Sequence, residues 1–179
     1  MRDPTIARNY ADALFEAGEQ LDQTERFADL MEGLATAMLT EPAIRVALES
    51  PRVPKPTKQG LLEQALREYA PPQFLRFLGA VIKRGRQELL PIISDEYTAL
   101  VDEKFNRLRA GVTLARKPDK ALQETVRTRL SEATGKEVIP HFRTDPSILG
   151  GVVLRIGDRI IDGSLRRQML TLKRQLLMK

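Results

Sequence analysis

The chain has 179 residues, 42% of them hydrophobic and 30% charged, and carries a formal net charge of +5. That balance describes a globular protein long enough for one domain or two small ones and excludes a disordered polymer. With no cysteine and a single histidine, disulfides, thiolate chemistry and His/Cys metal clusters are excluded too, and no apolar run reaches membrane-spanning length.

The N-terminal half reads as helix after helix. Ile6, Tyr10, Ala13, Leu14 and Ala17 recur at three- and four-residue spacing, with Asp3 and Pro4 as cap and first turn and Gly18 as the expected end. Phe27, Leu30, Met31, Leu34 and Met38 form a second stripe that stops near Pro42, and a short helix over residues 43–49 is cut off by Pro51. Pro54 and Pro56 predict an extended segment. Leu61, Leu62, Ala65, Leu66 and Tyr69 carry a fourth helix, broken by Pro71 and Pro72, and Phe74, Phe77, Leu78, Val81 and Ile82 a fifth. Leu90, Ile93, Tyr97, Leu100, Val101 and Leu108 carry a sixth. The expectation is a six-helix bundle over residues 1–105.

The C-terminal half changes period. Residues 111–115 read as a strand, and Leu122, Val126, Leu130 and Ala133 as a helix capped by Gly135. Val138, Ile139 and Phe142 suggest a further strand, which Pro140 confines to an edge or a bulge. Asp145, Pro146 and Ser147 are turn residues. Two strands then flank Gly157 and Asp158, a pair suited to a tight hairpin of type II′, which would set Leu154 opposite Ile161 and Arg155 opposite Ile160. Asp162 lies diagonal to Arg155 in that ribbon, so a salt bridge is expected between them. Gly163 closes the ribbon, and Ser164 is the expected N-cap of a last helix carrying Leu165, Met169, Leu172 and Leu176. The overall reading is a mainly α protein with a small α/β part: the helical bundle, then an α/β domain over residues 106–179 containing a β-hairpin.

Charge divides along the same line. Residues 1–105 hold 13 Lys/Arg against 17 Asp/Glu, and residues 106–179 hold 16 against 7. An acidic first half and a basic second half suit two domains with different partners, or two well-solvated surfaces. Catalysis finds no footing: His141 reads as a surface residue, nucleophile-elbow, zincin and P-loop motifs are absent, and Gly150, Gly151 and Gly157 are spaced for close backbone approach and turning, not for a dinucleotide. No metal or cofactor is expected. A basic nucleic-acid-binding adaptor is the alternative function, with Arg166, Arg167, Lys173 and Arg174 as its basic edge. Beyond Asn106, however, Phe142 is the only aromatic, so stacking platforms for bases are missing.

The run from Asp145 to Ser164, D-P-S-I-L-G-G-V-V-L-R-I-G-D-R-I-I-D-G-S, resembles the signature of the ATP synthase delta subunit family, which includes the mitochondrial oligomycin-sensitivity-conferring protein. I-A-R-N-Y-A-D-A-L-F from Ile6 to Phe15 and R-G-R-Q-E-L-L-P from Arg84 to Pro91 echo it further. The resemblance implies a non-catalytic stator subunit of an F-type ATP synthase, linking catalytic head to peripheral stalk so that proton-driven rotation is coupled to ATP synthesis. It implies a groove between the first and fifth helices for the N-terminal helix of an α subunit, placing Tyr10, Ala13 and Leu14 on one wall and Phe77, Ala80 and Val81 on the other. Each large apolar member of that set is equally readable as core. Residues 106–179 would meet the C-terminal segment of the b subunit. Asp145, Pro146, Gly150, Gly151, Arg155, Gly157, Asp158, Asp162, Gly163 and Ser164 would build that stalk-binding domain, and the β subunit is a further candidate partner. The implied location is the cytoplasmic face of the bacterial plasma membrane, without insertion into it. Lys83 and Arg84 depart from the Glu-Asn usual before Gly85 in that family, which bears on local contacts there.

Overall fold

Apolar side chains at helical spacing turn inward in the computed structural model, which describes residues 4–157 and 159–177. The cap expected at Asp3 and the hairpin residue Asp158 lie outside the described residues. Helices α1 (Pro4–Gln20), α2 (Thr24–Thr40), α3 (Pro42–Glu49), α4 (Lys55–Leu66), α5 (Pro72–Lys83) and α6 (Leu90–Lys104) come first. Strand β1 (Arg107–Leu114), helix α7 (Lys120–Thr134), strands β2 (Glu137–Thr144), β3 (Val152–Ile156) and β4 (Arg159–Asp162), and helix α8 (Leu165–Leu177) follow. The chain is mostly helical, with a four-stranded sheet toward its C-terminal end, and it divides into two compact units between Val101 and Asp102.

In the first unit, proline supplies the helix starts: Pro42, Pro56 and Pro72 each stand in a first turn, where the missing N–H costs no hydrogen bond. Pro56 therefore begins α4 and does not hold the chain extended. Gly18 likewise does not end α1. It is a buried interior residue of that helix, where a Cβ would lie 2.9 Å from the Tyr97 hydroxyl and 3.3 Å from Phe27, and the chain turns instead at Asp22, φ 53°. The Tyr97 hydroxyl donates to the Thr24 carbonyl at 3.0 Å. Phe27 packs against Phe74 with ring centroids 5.5 Å apart, and Leu14, Met31, Leu78, Val81, Leu90 and Ile93 complete the interior.

In the second unit the strand order is β2-β1-β3-β4. Strands β1 and β2 are parallel and joined through α7, whereas β1 with β3 and β3 with β4 are antiparallel. Leu108 belongs to β1 and not to the sixth helix, because Asn106, with a positive φ of 51°, turns the chain after α6. Pro140 sits in the edge strand, paired with Ala110, where its lack of an N–H is tolerated. Ala110, Val112 and Val138 are buried on one sheet face, and Ile148 is buried in the single 3-10 turn that precedes β3.

Candidate partner-binding sites

Helix α1 presents two different faces of small and apolar residues. Ala7, Ala11 and Leu14 are at most 1% exposed and belong to the interior. One step round the helix, Ile6, Asn9, Tyr10 and Ala13 form one wall of a cleft of about 360 Å³, whose other wall is Phe77, Ala80, Arg84 and Arg86 of α5 and the turn after it. The structure thus brings Tyr10, Ala13, Phe77 and Ala80 together. Leu14 and Val81, expected in the groove, are instead buried in the core, at 1% and 0% exposure. The reason is helical phase: neighbours in sequence point about 100° apart, so Ala13 and Leu14 cannot share a narrow face, nor can Ala80 and Val81.

Tyr10 meets Phe77 edge-on across the cleft at a centroid distance of 6.2 Å, and the Arg86 guanidinium carbon stands 5.7 Å from the Tyr10 ring centroid. The Tyr10 hydroxyl is shielded from solvent and has no hydrogen-bond partner. Arg84 and Arg86, read from the sequence only within the R-G-R-Q-E-L-L-P run and, for Arg84, as a departure before Gly85, were not expected in the groove because they follow the apolar stripe of α5. A further depression of about 450 Å³ between α2, α3 and α4, floored by Leu34, Leu48 and Leu62 and edged by Ile44 and Leu61, was also unmarked, its lining being spread over three helices.

The glycine-rich run of the second unit builds a joint between hairpin and helix. Asp145 caps the 3-10 turn by accepting from Ser147 N at 2.9 Å, and the Ser147 bonds hold its carboxyl below the usual range. Gly151 has φ 78°, and a Cβ there would collide with the Gly163 carbonyl; one on Gly150 would lie 2.7 Å from Leu165 Cδ1. Gly163 N donates to Val152 O at 2.9 Å and Leu165 N to Gly150 O at 3.0 Å. Gly157, φ 55°, opens the hairpin turn, and the register sets Leu154 against Ile161 and Arg155 against Ile160, as read from the sequence.

The expected bridge between Arg155 and Asp162 is replaced by local bonds. Arg155 Nε donates to Gly157 O at 3.4 Å, and Asp162 accepts from Ser164 N at 2.9 Å with Arg167 4.0 Å away. Those Ser164 bonds, then the Arg167 charge, lower the Asp162 carboxyl. Ser164 caps α8 by accepting from Arg167 N at 3.2 Å. The bonds and close approaches of these signature residues join β3, β4 and α8 into one piece.

What that joint presents is α8 itself. Leu165, Met169, Leu172 and Leu176 stand 47%, 61%, 58% and 77% exposed. They follow the four-three-four spacing of a coiled-coil seam, and every charged residue of the helix, Arg166, Arg167, Lys173 and Arg174, is basic. The sequence showed this stripe but not that it faces outward. Ile160 and Ile161 of β4 are exposed as well. Catalytic furniture does not assemble: His141 is exposed on the edge strand, and among the described residues no group of three His, Asp or Glu side chains could hold a metal ion. No described helix is long and apolar enough to cross a membrane.

The profile of the ATP synthase delta (OSCP) subunit family matches residues 6–176. The ATP synthase subunit delta of Gemmatimonas aurantiaca is 42% identical over 96% of this chain and 93% of its own length; that of Desulforamulus reducens is 33% identical over 97% and 96%. A chain in the cryo-EM structure of the Toxoplasma gondii mitochondrial ATP synthase hexamer superposes with a TM-score of 0.75 at 21% identity, covering 96% of this chain and 97% of its own, and so has the same fold. Matched along nearly its whole length, this chain belongs to the ATP synthase delta (OSCP) subunit family.

Proposed function

We propose that the chain, a non-catalytic stator subunit by its family, links the α subunits of the catalytic head to the b-subunit peripheral stalk at the cytoplasmic face of a bacterial plasma membrane. It couples proton-driven rotation to ATP synthesis mechanically, by keeping the head from turning with the rotor. Residues 1–105 act as one six-helix bundle that docks on the head, and residues 106–179 hold the stalk, with the β subunit as a further neighbour. The observation that carries this reading is the cleft between α1 and α5, whose small residues Ala13 and Ala80 leave room for a helix while Tyr10 and Phe77 offer aromatic anchors. The exposed seam of α8 supports the stalk contact, being suited to lie along another amphipathic helix. No observation favours nucleic acid.

The test is capture of the tagged full-length chain from membranes. Recovery of α, β and b subunits together is the expected result, and recovery of none of them overturns the reading. Ala13 is exposed, so Ala13→Asp is expected to abolish capture of α with an unchanged thermal melt. A partner's apolar face cannot bury that carboxylate cheaply, whereas the free protein leaves it in water.

A further inference from the structure

The cleft is apolar along its walls and cationic at one end, and the cations there are held by a built turn. Gly85, φ 70°, ends α5: Gly85 N donates to Ile82 O at 2.8 Å and Arg86 N to Val81 O at 3.0 Å. This double reverse bond fixes the two residues flanking the glycine, and both, Arg84 and Arg86, line the cleft. An arginine at a helix C-terminus is ordinarily explained by the free carbonyls there. Here Lys55 of α4 already donates to the Lys83 carbonyl at 2.8 Å, so the helix end has its cation without them. Among the described residues neither Arg84 nor Arg86 forms an ion pair with a carboxylate. Arg86 rests on the Tyr10 ring, whose own hydroxyl is a shielded donor with nothing to donate to, an arrangement that is unfavourable until an acceptor arrives.

We propose that the α1–α5 cleft selects a helix carrying an Asp or Glu at the end of its apolar face, the carboxylate seating on Arg84 and Arg86 and accepting from the Tyr10 hydroxyl. This rests on the groove reading above and adds to it the chemistry of the partner. The apolar walls hold the helix, and the charge pair fixes its direction and register, because a helix entering the other way would carry its carboxylate away from the arginines and leave them unpaired.

The experiment titrates full-length protein with a synthetic peptide of the α-subunit N-terminal helix encoded in the same genome, and with a counterpart whose Asp and Glu residues are replaced by Asn and Gln. The acidic peptide is expected to bind the parent about tenfold more tightly than the amide peptide, with the difference shrinking as salt rises. Arg84→Glu should lose that tenfold preference while melting like the parent, and a peptide with lysine at the seated position should recover binding to it. Equal affinity of both peptides for the parent, or an undiminished preference in Arg84→Glu, overturns carboxylate selection and leaves the groove standing. Ala80→Trp fills the cleft without touching its charge and is expected to abolish binding of either peptide. If it binds them like the parent, or if neither peptide binds the parent at all, the groove itself is wrong and the proposal falls with it.

Discussion

In the first unit Phe27, Phe74, Met31, Val81, Leu90, Ile93 and Tyr97 are all fully buried, each helix giving its apolar stripe to one interior. In the second, neither α7 nor α8 contains a buried residue, and the buried hydrophobics are Ala110, Val112, Val138 and Ile148. Both units are amphipathic in sequence. They differ in where the apolar face ends up: the first closes on itself and keeps only a cleft at its surface, while the second leaves a whole helix face outward. Hydrophobic burial near 25 cal/mol per Å² stabilises the first strongly and the second weakly. The second depends correspondingly more on backbone geometry and local hydrogen bonds.

The sharpest way to break this contrast is to remove a side chain from the closed interior. Phe74→Ala is expected to destabilise the first unit by about 3–5 kcal/mol, since the ring is wholly buried against Phe27. A denaturant titration showing a loss under about 1 kcal/mol would mean that the interior is not tightly packed. Next in size is Gly151→Ala, which adds no polar group and removes no apolar contact. The positive φ and the collision with the Gly163 carbonyl predict a loss of about 2–3 kcal/mol, confined to the second unit. Near-native stability in that variant would show the hairpin–helix joint to be loose.

Acid should separate the two units more gently. Asp145 and Asp162 have lowered carboxyls in the folded chain, so the stability they lend is present above the ordinary Asp value of 3.8 and is lost as pH falls through their folded values. Asp95 of the first unit is shifted the other way, by desolvation first and by Glu32 second, so its ionised form costs stability at neutral pH and the cost is relieved on acidification. Melting curves between pH 7 and 3 are expected to show Asp95→Asn slightly more stable than the parent at pH 7 and equal to it at pH 3. Asp162→Asn should be less stable at pH 7, with the deficit beginning to shrink only as pH falls below 3.8. The opposite order at either position would contradict these assignments. The smallest effect on stability is expected for Leu172→Lys, within about 0.5 kcal/mol, because that side chain is 58% exposed. The same change should abolish recovery of the b subunit in the capture experiment, and a stability loss with b still bound would make the face of α8 part of a core.

Much of this was legible in one dimension because it depends on residues close in sequence. Helix positions followed from period-3.6 stripes, the hairpin register from two strands around Gly157, the α8 cap from Ser164, and the edge position of β2 from Pro140, since a residue without an N–H cannot serve two neighbours. The run from Asp145 to Ser164 identified the family for the same reason, its glycines and turn residues each answering a local backbone demand. The roles of Gly18, Pro56 and Leu108 were misread where local signals were ambiguous. A glycine ends a helix or admits a neighbouring ring, and only Tyr97, far along the chain, decides which. Tertiary packing alone settled which side of each amphipathic helix met protein. Leu14 and Ala13 are adjacent, and nothing local says that one is interior and the other faces the cleft. Leu34 of α2 and Leu172 of α8 are equally apolar, yet only the first has helices enough around it to be covered. Periodicity states that a face is apolar; which surface covers it depends on how distant segments assemble, and for α8 no described part of its own unit does.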